Sequence, residues 1–202
     1  MKNIKDNSLI RKRRNNARIY PIYKMFSWDL LFFYSIQFLF CTITKKVSAS
    51  ELLIINGFYY LFRIIDQIPA VTITDFIGKR KSIILGNIFL IIFLLILLFV
   101  PGAMSIVIAN LFFAIGYDMK VLAESNLLYD SVATKGGEGL YSKIDARGGS
   151  LYYILDGITS LSAGYLFVIN NYLPIIICLI FVCISTILAF GFKDIYPKDK
   201  RK

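Results

Sequence analysis

Apolar residues in this chain come in long unbroken runs, and polar residues are confined to short stretches between them. Six runs stand out, at about 25–43, 52–74, 82–100, 103–120, 149–169 and 173–192. About 20 helical residues cross a hydrocarbon core of about 30 Å, and each run meets that length. Transmembrane strands alternate over about ten residues, a pattern that these continuous runs lack. The pattern predicts an all-α membrane protein, a bundle of six transmembrane helices. Breakers separate the runs: a charged turn at 75–81, Pro101-Gly102, and Asn170-Asn171. Residues 1–24 are polar and basic around Arg11-Lys12-Arg13-Arg14, and read as a cytosolic tail without a core. Residues 193–202 form a second basic tail. The longest internal polar stretch is 121–147, with Gly136, Gly137 and Gly139 as its flexible points.

Composition agrees with this picture and sharpens it. The chain has 202 residues, 57% of them hydrophobic, and a formal charge of +10 from 23 Lys+Arg against 13 Asp+Glu. On a soluble surface such a balance would point to nucleic acid. Here the cations gather between apolar runs, so they report topology and no nucleic-acid partner is expected. With the N-terminus inside, 20 of the 23 Lys and Arg fall on the cytoplasmic side. Only Lys45 and Lys46 lie outside, and Arg63 is left within a run. This bias predicts a multi-pass protein of the cell membrane with both termini cytoplasmic. Val47-Ser48-Ala49 resembles a small-residue cleavage site, but a signal peptide has an apolar stretch of only about 7–15 residues. The run at 25–43 therefore reads as a retained first helix.

Charged groups at membrane depth cost about 2.5–3.5 kcal/mol each on insertion scales, so they need partners or a wet cavity. The second run carries Asn56, Tyr59 or Tyr60, Arg63, and Asp66 or Gln67, three or four residues apart and hence on one helix face. Arg63 lies near the middle of its run. The fifth run has Tyr152, Asp156 and Thr159 or Ser160; the first has Tyr34, Gln37 and Cys41; the fourth has Asn110, Ala114 and Asp118. Runs one, two, four and five are expected to border a wet interior, with three and six outside, although Asn87 in run three fits this poorly. Tyr34, Gln37, Asn56, Arg63, Asp66, Asn110 and Asp156 are the candidate pathway residues. A structural ion pair of Arg63 with Asp66 or Asp156 is the competing account of the same charges.

Other chemistry is sparse. The chain has no histidine, and Cys41, Cys178 and Cys183 lie far apart in apolar runs. Neither a metal-ligand cluster nor a nucleophile–base pair is visible, so no enzyme, metal or cofactor is expected.

The turn after run two carries the sharpest motif. Asp75, Gly78, Arg80 and Lys81 match, position by position, the signature loop of the major facilitator superfamily, and the chain resembles that family here. Val71 stands where the family has its first glycine, and Phe76 replaces the first basic residue. A looser similarity, to an efflux-like bacterial subgroup, covers Glu124, Leu127-Leu128-Tyr129-Asp130-Ser131 and Tyr141-Ser142-Lys143-Ile144. The resemblance implies one six-helix half of a transporter that moves a small-molecule solute across the lipid bilayer by alternating access. It implies a second half too, either another copy in a homodimer or a separate six-helix partner. Asn110 stands where a basic residue is common, and residues 155–164 hold no proline, so neither substrate nor direction carries over. The alternative expectation is a structural or regulatory membrane protein derived from such a half.

Overall fold

The computed structural model describes residues 2–133 and 137–195, with the side chains of 7–133 and 139–195. Lys135, Gly136 and the tail residues Lys198, Lys200, Arg201 and Lys202 lie outside them. Every regular element described is helical: α1 (Lys2–Ser27), α2 (Phe33–Leu39) running into a π-helical turn (Phe40–Thr44), α3 (Ala49–Ile77), α4 (Lys79–Phe99), α5 (Ala103–Val132), α6 (Gly137–Ile169) and α7 (Leu173–Phe190).

Four of these are long and apolar enough to cross a membrane: α4, α5, Gly139–Ile169 of α6, and α7. The other two expected spans fall short for different reasons. Helix α3 has 29 residues, but Asn56, Arg63, Asp66 and Gln67 dilute its apolar character. The run at 25–43 is not one helix. Asp29 turns its carboxylate onto the next backbone N–H, that of Leu30, at 3.0 Å. Such a local bond competes with the helical ladder. Phe32 then takes φ 68°, and α2 starts at Phe33.

Residues 1–24 are not a coreless tail. Within α1, Asn16, Tyr20, Tyr23 and Ser27 recur at helical spacing and are all buried. This stripe docks on α5, α6 and α7. Its buried residues are polar or amphipathic, so no apolar run marks it. The expected polar stretch 121–147 is likewise mostly helix. Helix α5 continues to Val132 and α6 begins at Gly137. Ala123, Leu127, Leu128 and Val132 there build a second core with Tyr20, Tyr23, Ile83, Ala189 and Phe192. The start of the C-terminal basic tail is docked too, with Ile195 buried.

Helices α4 and α7 were expected outside, yet both are more buried than α6, α4 the more so. Helix α4 packs on α5, α7 and α3, and 44% of its apolar window is buried against 22% for α6. Asn87, the poor fit in that run, is fully buried. The α4–α5 approach depends on Gly86 and Gly116. A Cβ on Gly86 would lie 2.6 Å from the Gly116 carbonyl oxygen. Between lipid-embedded helices there is little hydrophobic drive, so close contact of small residues carries much of the attraction. The larger core cluster, with Phe33, Phe40, Phe93, Leu97, Ile106 and Phe113, fills the other half of the bundle. The exposed apolar faces belong to α3 (Leu53, Phe58, Ile68) and α6 (Tyr153, Ile158, Leu161).

Candidate functional site: a polar cavity between α2, α3 and α5

Five of the seven pathway residues meet in one place. Tyr34 and Gln37 of α2, Asn56 and Arg63 of α3, and Asn110 of α5 line a cavity of about 250 Å³. Asp29, Phe33, Tyr59, Tyr60, Phe93, Phe113 and Tyr117 complete its wall. The geometry follows from local structure. Asn56, Tyr59, Tyr60 and Arg63 share a face of α3, and the break at 28–32 lets Asp29 and Tyr34 reach the same space. Helix α6 supplies no lining residue, contrary to expectation. Asp156 is half-buried on α6 outside the cavity wall. Helix α6 reaches α2 instead through Ser160 and Ser35, which share a hydrogen bond of 2.9 Å.

Arg63 has a different partner from either one expected. Its Nε donates to Asp118 Oδ1 at 3.1 Å and to Oδ2 at 3.3 Å, and its Nη2 makes an ion pair with the same carboxylate. Asp118 is on α5, at the far end of the stripe that begins with Asn110. Asp66 sits one turn below Arg63, buried, with its Oδ2 unbonded. The guanidinium carbon also lies 4.9 Å from the Tyr117 ring centroid and 5.9 Å from that of Tyr59. A second cavity of about 300 Å³ opens beyond the pair, lined by Arg63, Gln67, Ala70, Val71, Asp118, Val121 and Leu122. Arg63 thus lines both cavities, and Asp118 the second.

A second polar cluster escaped the sequence reading. Lys120, placed there on the cytoplasmic surface, is 1% exposed and donates to the Ser27 carbonyl. Glu124, one turn along α5, is also buried. Around them, Tyr23 Oη, Ser27 Oγ, Glu124 Oε2 and both amide atoms of Asn87 complete no hydrogen bond. A void of about 10 Å³ adjoins Ser27, Asn87 and Lys120, room for about one water. Burial pushes the Tyr23 phenol well up, and the Tyr20 phenol likewise, so both stay neutral. On the α6 side, Lys24 pairs with Asp145 at 2.5 Å and rests 3.8 Å over the Trp28 ring. The available signal was the Lys120–Glu124 spacing of four at the end of an apolar run.

The motif loop divides. Gly78, at φ 92°, ends α3 and starts α4 in a conformation that disfavours side chains. Arg80 donates through Nη2 to the Phe190 carbonyl at 3.0 Å, and its backbone N–H is capped by the Asp194 carboxylate at 2.9 Å. Asp75 and Lys81 are exposed. Asp194 takes the capping role at the α4 N-terminus, where an anion is favoured. Lys79, outside the motif, pairs with Asp130 of α5. Compared with protein-family models, curated proteins and solved structures, the chain matches none of them.

Proposed function

We propose that this chain is one six-helix unit of a membrane transporter, moving a small solute through the cavity between α2, α3 and α5. The observation that carries the reading is the convergence of Tyr34, Gln37, Asn56, Arg63 and Asn110 from three helices on one polar space. Such polarity is costly against lipid and common along solute pathways. The broken segment beside it supports the same reading, because interrupted helices with irregular backbone border transporter sites. In this account run 25–43 crosses the membrane as a broken span, α3 crosses despite its polar stripe, and both termini face the cytoplasm. Arg63 borders both cavities and is held by Asp118, so breaking and remaking that bridge is the step by which access would alternate. The loop residues Asp75, Gly78, Arg80 and Lys81 support a major-facilitator-like unit. A second unit covers the open cavity, and a second copy of this chain supplies it.

The test is the mass of the detergent-purified particle, followed by solute counterflow in liposomes. A dimer with saturable flux supports the reading. A monomer without flux, alone or with any six-helix partner, removes it. One observation favours a second reading, a non-transporting scaffold: the broad exposed apolar faces of α3 and α6 suit helix association. Conservative changes at Arg63 and Asp66 separate the two, since only a transporter would lose flux while keeping its fold.

A further inference from the structure

We infer that the α2–α3–α5 cavity binds a small organic cation, a quaternary or protonated amine carrying one ring or a short apolar body. The inference deepens the transport reading and rests on it for the word substrate. Two charged side chains line the cavity, Asp29 and Arg63. Arg63 is already neutralised by Asp118. Asp29 forms no ion pair among the described residues. It accepts the neighbouring Leu30 N–H, with the Tyr34 hydroxyl and the buried Lys120 ammonium as its other polar neighbours. Behind the wall, Lys120 and Glu124 are buried one turn apart on α5 and offset each other, and the buried Asp66 carboxyl near Arg63 brings no cation with it. The space is therefore short of positive charge.

Its walls are suited to supply the rest of a cation's solvation. Seven aromatic residues line it, four of them tyrosines (Tyr34, Tyr59, Tyr60 and Tyr117). Cations are attracted to ring faces within about 6 Å of the centroid, most strongly where water is excluded. The protein demonstrates this with its own charge, since Arg63 lies within that distance of both Tyr59 and Tyr117. An anion entering the same space would meet Asp29, and a neutral solute would leave that carboxylate uncompensated. The volume of about 250 Å³ is below the usual range of drug-sized pockets, about 300–1,000 Å³. A single-ring ligand fits that size.

The probe is phenyltrimethylammonium, measured by equilibrium dialysis on the purified full-length chain in nanodiscs. Its neutral counterpart of the same shape is tert-butylbenzene, and benzenesulfonate is an anionic one. Saturable binding of the cation is expected, with neither of the other two competing. Asp29→Asn should weaken it about tenfold or more, and Asp29→Glu much less. Tyr60 is 62% exposed at the cavity rim, so changing it spares the fold. Tyr60→Leu should weaken binding several-fold while Tyr60→Phe keeps it, a comparison that decides if Asp29→Asn fails to fold. Equal competition by tert-butylbenzene, absence of saturable binding, or wild-type affinity in folded Asp29→Asn overturns the inference. Cation binding without flux in liposomes would leave the site standing and remove the transport reading. Flux of a neutral solute without cation binding would do the reverse.

Discussion

Arg63 of α3 and Asp118 of α5, 55 residues apart in sequence, hold each other by two hydrogen bonds from Nε and an ion pair from Nη2. No other ion pair joins these two helices among the described residues. Asp118 is mostly buried and Arg63 about one-quarter exposed. Removing one partner strands the other in a poorly solvated place. Asp118→Ala is expected to lower unfolding free energy by about 2–3 kcal/mol, below the cost of breaking a fully buried pair. Arg63→Leu/Asp118→Leu together should recover most of that. Unfolding by detergent titration checks both, and a double variant as unstable as the single one would deny the pair its role.

Asn16 makes a different kind of link. Its side chain, 1% exposed, donates to Ser131 Oγ at 3.0 Å and to the Lys193 carbonyl at 2.8 Å, and accepts from the Lys193 N–H at 2.9 Å. Asn16→Ala leaves those groups unpaired in a buried position. The expected cost is about 1–3 kcal/mol. Thermal unfolding of the purified protein reads it, together with faster trypsin cleavage at Arg11–Arg14. A variant as stable and resistant as the parent would return α1 to the status of a loose tail.

Two glycines should respond in opposite ways to alanine. At Gly86 the new methyl would press on the Gly116 carbonyl and on Lys120 Cβ, at 2.6 and 2.9 Å. Overpacking of this kind typically costs about 1–3 kcal/mol. At Gly157 nothing lies within 4 Å, so alanine should be neutral or stabilise the helix by up to about 1 kcal/mol. Side-by-side unfolding curves test the contrast. Equal effects would mean that α4 and α5 are not in contact as described.

The start of α3 carries a pH dependence. Ser48 donates from its N–H and from its hydroxyl to Glu51, at 2.9 and 2.8 Å, and accepts the Glu51 N–H in return. The bond from the Ser48 backbone, then that from its side chain, holds the Glu51 carboxyl below its usual value of 4.5. The folded value is the depressed one, so the box contributes fully above 4.5 and fades as pH falls through the lower folded value. Hydrogen exchange at Leu52 should be steady at neutral pH and rise only in acid. Ser48→Ala should raise it across the whole range. Exchange that quickens on going from pH 7 to 5 would contradict this sign.

How much of this was legible depended on what the residues bury. The runs behind α4, α5, α6 and α7 declare themselves, because lipid-length apolar segments have few other uses. The cavity was legible in outline, since polar residues at three- and four-residue spacing inside such runs are costly and rarely idle. Three things were not. Helix α1 buries tyrosines, an asparagine and a lysine, which a hydropathy pattern scores as surface. Asp29 was passed over within a run that reads as continuous, although its side chain breaks the helix there. The partner of Arg63 was sought one turn away, at Asp66, or on run five, at Asp156. Choosing Asp118 needs the crossing of α3 and α5, which no local spacing encodes.

The bond between Asn16 and Lys193 also orders events in time. A ribosome makes residue 16 early and residue 193 about 177 residues later, many seconds apart at usual synthesis rates. Until α7 and the segment after it emerge, the buried stripe of α1 has α5 and α6 to lean on at most, and its asparagine has no backbone to bind. Helix α1, made before α2 to α7, is therefore among the last to be locked. A bundle finished in this order sets its long apolar helices first and fastens α1 to the segment after α7 at the close.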